Sequence, residues 1–269
     1  MSRDETAESE AGRLLIPGRP PASSPGGAGL AWLRRRGSGP GAPALVFCHG
    51  FRSAKAGEKA EALDRLAART GLGLLRFDLS GHGESAGEFR DGTIGQWRDD
   101  LLAVIDRLAE GPVILVGSSL GGWLSLLAAL ARPERVAGLV LVAPAPDFTQ
   151  RLVWQRMDGE TRARFLRDGA WWHRPADEDS PYPITRRLVE EGRAHLLLTG
   201  GRIAVRCPVR LLHGMADPDV PWRQSLELAE ALEAADVRLT LVKDGDHRLS
   251  RPQDLALLEA AALELAGLA

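Results

Sequence analysis

The chain predicts an α/β fold: a mostly parallel sheet of about eight strands with helices on both faces. Three observations carry that reading. From Ala44 onward, short apolar runs alternate with longer stretches of helical periodicity, the pattern of strand–helix–strand crossovers. One run, Pro112-Val113-Ile114-Leu115-Val116, leads through Gly117-Ser118-Ser119-Leu120-Gly121 directly into Gly122-Trp123-Leu124, so a G-x-S-x-G pentapeptide lies between a strand and a helix. Downstream, Asp217 and His247 each follow a further predicted strand, where a parallel sheet presents its loops.

The elements follow in order. Residues 1–11 are polar and acidic and predict a disordered tail. Leu14-Leu15-Ile16 and Leu30-Ala31-Trp32-Leu33 read as short strands of an antiparallel edge, separated by a Pro/Ser/Gly loop. Strands are predicted near 44–48, 73–77, 113–117, 136–143, 209–213 and 237–243, and helices near 56–70, 93–109, 120–131, 222–232 and 253–266. The helix from Thr93 carries a one-sided apolar stripe of Ile94, Trp97, Leu101, Val104, Ile105 and Leu108. The alternation breaks between Asp147 and Arg206, which divides the chain into a core of 12–146 and 207–269 around an inserted segment, 147–206. No internal repeat is present.

The pentapeptide carries the chemistry. A serine is useful as a nucleophile only if its hydroxyl stands clear of its own backbone. Gly117 and Gly121 remove the Cβ atoms that would collide in so sharp a turn. At neutral pH the hydroxyl is weakly nucleophilic; it needs an imidazole to accept its proton and a carboxylate to fix the imidazole tautomer. The chain order Ser119, Asp217, His247 supplies these groups. Asp219 is the rival carboxylate, although it is also placed to cap the helix near Trp222. The other histidines fit less well: His49 and His213 end strands beside glycines, His82 sits in a Gly-His-Gly loop, and His173 and His195 fall in the insertion, where the readings are a substrate contact or, more simply, surface exposure. The backbone N–H of Leu120 is the natural oxyanion donor after the nucleophile.

Five motifs together resemble the α/β-hydrolase superfamily: Phe47-Cys48-His49-Gly50-Phe51, Asp78-Leu79-Ser80-Gly81-His82-Gly83-Glu84-Ser85, the serine pentapeptide, His213-Gly214-Met215-Ala216-Asp217 and Gly245-Asp246-His247. The stretches from Leu115 to Leu124 and from Cys207 to Met215 are similar to the abhydrolase-domain protein ten family, which contains a mitochondrial palmitoyl-protein thioesterase and acyl-glucuronide esterase. The resemblance implies an α/β-hydrolase fold with a helical cap inserted after strand six. It points to the Phe51 amide as the second oxyanion donor and to acyl groups released from thiols or sugars as substrates. Trp154, Phe165, Trp171 and Trp172 are then candidates for an apolar roof over the substrate pocket. Arg162, Arg164, Arg186 and Arg187 are candidates for meeting an anionic leaving group, against the plainer reading of a solvated face.

The expected activity is therefore a serine hydrolase of carboxylic esters or thioesters. A peptidase or C–C bond hydrolase on the same scaffold, or a ligand-binding pseudo-hydrolase, is the alternative. No cofactor is expected. No histidine pair shows metal-ligand spacing, so no metal site is expected either. A net charge of −2 gives no electrostatic case for nucleic acid. No apolar run reaches the roughly 18 residues of a membrane span, so no stable insertion is expected. The two cysteines, Cys48 and Cys207, do not make a disulfide framework. Asp4, Glu5, Glu8 and Glu10 oppose the charge of a leader, and the chain reads as cytoplasmic.

Overall fold

A computed structural model describes residues 9–16, 28–38, 43–173 and 181–268. Strands β1 (Ser9–Leu14), β2 (Leu30–Arg35), β3 (Ala44–Cys48), β4 (Leu74–Phe77), β5 (Val113–Ser118), β6 (Val136–Val142), β9 (Val209–Gly214) and β10 (Val237–Val242) form one eight-stranded sheet in the order β1-β2-β4-β3-β5-β6-β9-β10. From β4 to β10 every pairing is parallel, while β2 runs antiparallel to both β1 and β4.

Strand residues alternate between two apolar layers, as a period of two demands. Val46, Val113, Leu115, Leu139 and Leu141 point to one face, and Leu45, Phe47, Ile114, Val116 and Val140 to the other. Helices α1 (Glu58–Thr70) and α7 (Pro252–Leu265) cover the second face. Helices α2 (Ile94–Arg107) and α3 (Leu120–Ala131) cover the first. The α2 stripe is buried at Ile94, Trp97, Leu101, Val104 and Ile105, and the Thr93 hydroxyl caps its N-terminus by accepting from the Gln96 amide. Both central layers being covered explains why these strands read as nearly continuous apolar runs.

Two expectations change at the edge and in the insertion. Ser9, Glu10 and Ala11 belong to β1, paired with Arg35, Arg34 and Leu33, rather than to a tail. Glu10 accepts hydrogen bonds from Arg34 and Arg36, so its charge serves strand pairing. Leu15 and Ile16 fall outside the strand; the rest of the predicted tail, 1–8, lies outside the described residues. The insertion between β6 and β9 is not purely helical. Beside α4 (Gly159–Asp168) and α5 (Arg186–Gly192) it holds an antiparallel pair, β7 (Ala170–His173) and β8 (Tyr182–Thr185). Four-residue strands carry too little periodicity to be read from sequence.

The insertion is tied together by polar contacts and joined to the core both by polar contacts and by Phe165, Ile184, Leu188 and Val189, which share one apolar cluster with α2 and α3. The Asp147 carboxylate, on a left-handed backbone (φ 61°), accepts the Leu197 and Leu198 amides at 2.7 Å each. Glu191 accepts the Gly95 amide at 3.0 Å, and the Trp123 indole donates to the His195 carbonyl at 3.1 Å.

Trp97, fully buried, joins α2 to the loop after β4 by donating its indole N–H to the Ser80 carbonyl at 3.0 Å. Trp97→Ala is expected to cost about 3–5 kcal/mol and to lower Tm by roughly 10 °C, measurable by calorimetry; a change within error contradicts this packing account.

Candidate active site

The turn from β5 into α3 bends at Ser119, whose φ of 53° and ψ of −114° lie outside the ordinary regions for a non-glycine residue. Such strain persists only where the surroundings fix it. A Cβ on Gly121 would stand 2.0 Å from the Cys48 carbonyl oxygen, a backbone atom that cannot step aside. The Ser119 amide donates to the Val142 carbonyl at 2.9 Å, and its own carbonyl accepts from Ala145 at 3.1 Å. The turn that carries the hydroxyl is thus fixed by hydrogen bonds to the end of β6 and to the loop that follows it.

The loops after β9 and β10 bring the other two groups to it. They touch at Gly214 and Gly245, where a Cβ on Gly214 would lie 2.2 Å from the Gly245 carbonyl oxygen. Asp217 Oδ1 accepts the amides of Asp219 and Val220 at 2.8 and 2.9 Å. Its Oδ2 accepts from His247 Nδ1 at 2.7 Å, and His247 Nε2 lies 3.1 Å from Ser119 Oγ. Since a carboxylate oxygen only accepts, Nδ1 carries the imidazole hydrogen and Nε2 is free to accept the serine proton. Burial alone would raise the Asp217 carboxyl, but hydrogen bonds from His213 and His247 outweigh it. They hold the group well below the usual carboxylate range. Asp219 is exposed; what it contributes to this cluster is its amide.

The Leu120 amide opens α3, where no intrahelical acceptor exists for it. Phe51 follows Gly50 in a turn closed by the Ser53 amide on the Gly50 carbonyl at 3.2 Å. That turn rests on a buried network. Asp78 accepts from the Lys55 amide and ammonium at 2.6 and 2.9 Å, and His49 accepts the Leu79 amide at Nε2 while donating from Nδ1 to the Gly50 carbonyl. Burial pushes both His49 and His82 down, the latter to about 3, so these imidazoles are neutral.

Ser119, His247, Phe51 and Leu120 all line one cleft of about 880 Å³ beneath the insertion. Of the four aromatics expected in its roof, only Trp171 lines it. Its neighbour Trp172 is 63% exposed, because successive residues of β7 face opposite ways. Phe165 is buried in the core, and Trp154 packs against it with the Arg162 guanidinium 4.5 Å above the Trp154 ring. The apolar wall is instead built from Phe148, Leu152, Val153, Met157, Tyr182 and Ile184. Spacing could have pointed to Phe148, Leu152 and Val153, but a π-turn over Thr149–Val153 alters which of them face inward. His173, expected at the surface, also lines the cleft, and His195 is mostly buried against Glu191 at 2.8 Å. None of Arg162, Arg164, Arg186 and Arg187 lines the cleft; Arg52, Arg156 and Arg248 do. Among the described residues, Asp217, Asp219 and His247 bring three metal-type ligand atoms within 4.8 Å of one another. Both Asp217 oxygens and both His247 nitrogens are already engaged in hydrogen bonds.

Residues 45–258 match the alpha/beta hydrolase family. The chain is 42% identical over 232 residues to the mitochondrial palmitoyl-protein thioesterase ABHD10 of Bos taurus, covering 85% of this chain and 74% of that protein. It is 41% identical over 231 residues to the Homo sapiens protein of the same name, with the same two coverages. Among solved structures, mouse alpha/beta hydrolase domain-containing protein 10 superposes with a TM-score of 0.84 at 37% identity, covering 95% of this chain and 98% of that one. These relatives overturn the cytoplasmic location expected from the acidic N-terminus, because they are named as mitochondrial proteins. That expectation rested on four acidic residues, of which Glu10 turns out to belong to the sheet.

The Asp217 carboxyl also sets an acid limit to stability. Its folded-state value lies below the roughly 3.9 of an unfolded aspartate. The stabilisation is therefore complete above that pH and is lost as pH falls through the folded value. The Tm gap between wild type and Asp217→Asn should narrow as pH is lowered below about 4; a gap that stays constant or widens contradicts the assignment.

Proposed function

The chain belongs to the alpha/beta hydrolase family, and from that premise we propose that it is a serine hydrolase cleaving carboxylic esters or thioesters through an acyl-enzyme. The observation that carries this reading is the hydrogen-bonded line Ser119–His247–Asp217, of which Ser119 and His247 line the cleft and Asp217 lies behind them. His247 Nε2 takes the Ser119 proton as Oγ attacks the acyl carbon. The oxygen that becomes negative is received by the Leu120 and Phe51 amides, which are fixed before charge develops. His247 then returns the proton to the departing thiol or alcohol, and a water repeats the sequence to release the acid. Asp217 keeps the imidazole in the productive tautomer and balances its charge while it is protonated.

The substrate side of the proposal rests on two supports. The relatives are palmitoyl-protein thioesterases by name, and the cleft is walled on one side by apolar groups of the insertion. Acyl groups of medium or greater length, carried on a thiol or an activated alcohol, fit both.

Ser119→Ala and His247→Ala are expected to lose up to ~10⁶ in kcat. Asp217→Asn should lose ~10⁴, while Asp219→Asn stays within a few-fold of wild type. Steady-state hydrolysis of an acyl thioester measures all four. Retention of a tenth of wild-type activity by Ser119→Ala sinks the proposal, and Asp219→Asn proving worse than Asp217→Asn reassigns the carboxylate.

A second series addresses the acyl group. Each methylene buried adds ~0.8 kcal/mol, so two raise kcat/KM about tenfold until the pocket is full. Acetyl, butyryl, octanoyl and palmitoyl thioesters should therefore show rising kcat/KM over the shorter lengths. A steady decline from acetyl upward, or faster cleavage of peptide amides, removes the acyl-thioester reading.

A further inference from the structure

Asp217 serves two histidines. Besides His247, its Oδ2 accepts from His213 Nε2 at 3.1 Å. His213 lies one residue before the end of β9, is fully buried, and also faces the Val220 carbonyl from Nε2 at 3.1 Å. Both neighbours of that nitrogen only accept, so Nε2 carries the hydrogen. The remaining nitrogen, Nδ1, lies 2.6 Å from the hydroxyl of Ser225, itself fully buried on α6 (Arg223–Ala231). In neutral His213, Nδ1 accepts the Ser225 hydroxyl hydrogen. The hydrogen bonds therefore run without a break from α6 to the nucleophile: Ser225, His213, Asp217, His247, Ser119.

We propose that His213 is a positioning residue for the reaction: its Nε2–H holds the carboxylate oxygen that His247 uses and takes a share of that oxygen's negative charge. The inference rests on the Ser119–His247–Asp217 reading above. The two Oδ1 bonds, from the Asp219 and Val220 amides, anchor one side of the carboxylate. Among the described residues, His213 and His247 are the two side chains that donate to Asp217. Its effect on the base has a definite sign. A carboxylate oxygen that shares its charge with a second donor stabilises an adjacent imidazolium less. Removing the His213 donor concentrates charge on Oδ2, stabilises protonated His247 and raises the pH at which the base becomes neutral.

Other charged groups around the base stay in place in this comparison. They are Asp219 from the loop after β9, Asp246 and Arg248 flanking His247, and Lys59 of α1, which donates to the Arg248 carbonyl. Because they are common to wild type and variant, a difference in midpoint reports on His213.

The test measures the second-order rate of labelling by a fluorophosphonate against pH in wild type, His213→Leu and His213→Gln. The Gln amide nitrogen reaches about as far as the imidazole Nε2 and restores a donor. The expected result is a rise with one ionisation in wild type, a midpoint higher by about half a pH unit or more in His213→Leu, and a return toward wild type in His213→Gln. A rate that falls with an unmoved or lowered midpoint in His213→Leu overturns the proposal, since it describes packing alone. If His213→Leu does not fold, the nitrogen resonances of ¹⁵N-histidine-labelled wild type decide. His213 should stay protonated at Nε2 throughout the titration of His247, and an Nδ1–H tautomer with bare Nε2 overturns the proposal. Labelling that survives Ser119→Ala marks failure of the underlying triad reading; labelling confined to Ser119 with an unchanged midpoint marks failure of the His213 inference alone.

Discussion

The buried carboxylate of Asp217 is the constraint on which the arrangement of the cleft depends. Its side chain is fully shielded from solvent, yet it is held ionised. A bare buried charge is prohibitively costly, and here four N–H groups offset that cost, two from the backbone and two from histidines. Satisfying them fixes the loop after β9, draws in the loop after β10 and orients His247 toward Ser119. Neutralise the group and one of its two oxygens ceases to be a pure acceptor, so the charge-assisted bonds that hold it weaken.

Ser119, the proposed nucleophile, is held by a different kind of force. Ser119 occupies a backbone conformation that costs energy, and the cost is offset by the close passage of α3 across the end of β3. The same passage brings Leu120, the first residue of α3, to the cleft, so the strain at Ser119 and the placing of the helix start beside it are two results of one packing arrangement. The insertion completes the cleft: Asp147 ties its two ends together, Glu191 and the His195 carbonyl bond it to α2 and α3, and its apolar residues join the core cluster.

Much of this was legible in the sequence because it depends on short-range rules. The pentapeptide between a strand and a helix, the apolar runs of β3, β5 and β6, and the stripe of α2 all follow from periodicity and glycine placement. Asp217 and His247 were readable as post-strand residues in a fixed order. What was not legible depends on geometry that sequence spacing does not encode. Trp171 and Trp172 are equivalent in composition, yet β7 turns one to the cleft and the other to solvent. The π-turn at 149–153 shifts the inward face by part of a turn. His213 looked like a turn residue beside Gly214, and only the folding of α6 and the Asp217 loop around β9 gives it two partners.

The claim that Ser119 is made nucleophilic by the His247–Asp217 pair is tested most directly by locating a covalent adduct. The protein treated with a fluorophosphonate should gain the mass of one phosphonyl group, and peptide mapping should place it on Ser119. The same treatment of His247→Ala should leave the protein unmodified. An adduct on any other residue, or undiminished labelling without His247, would contradict the account.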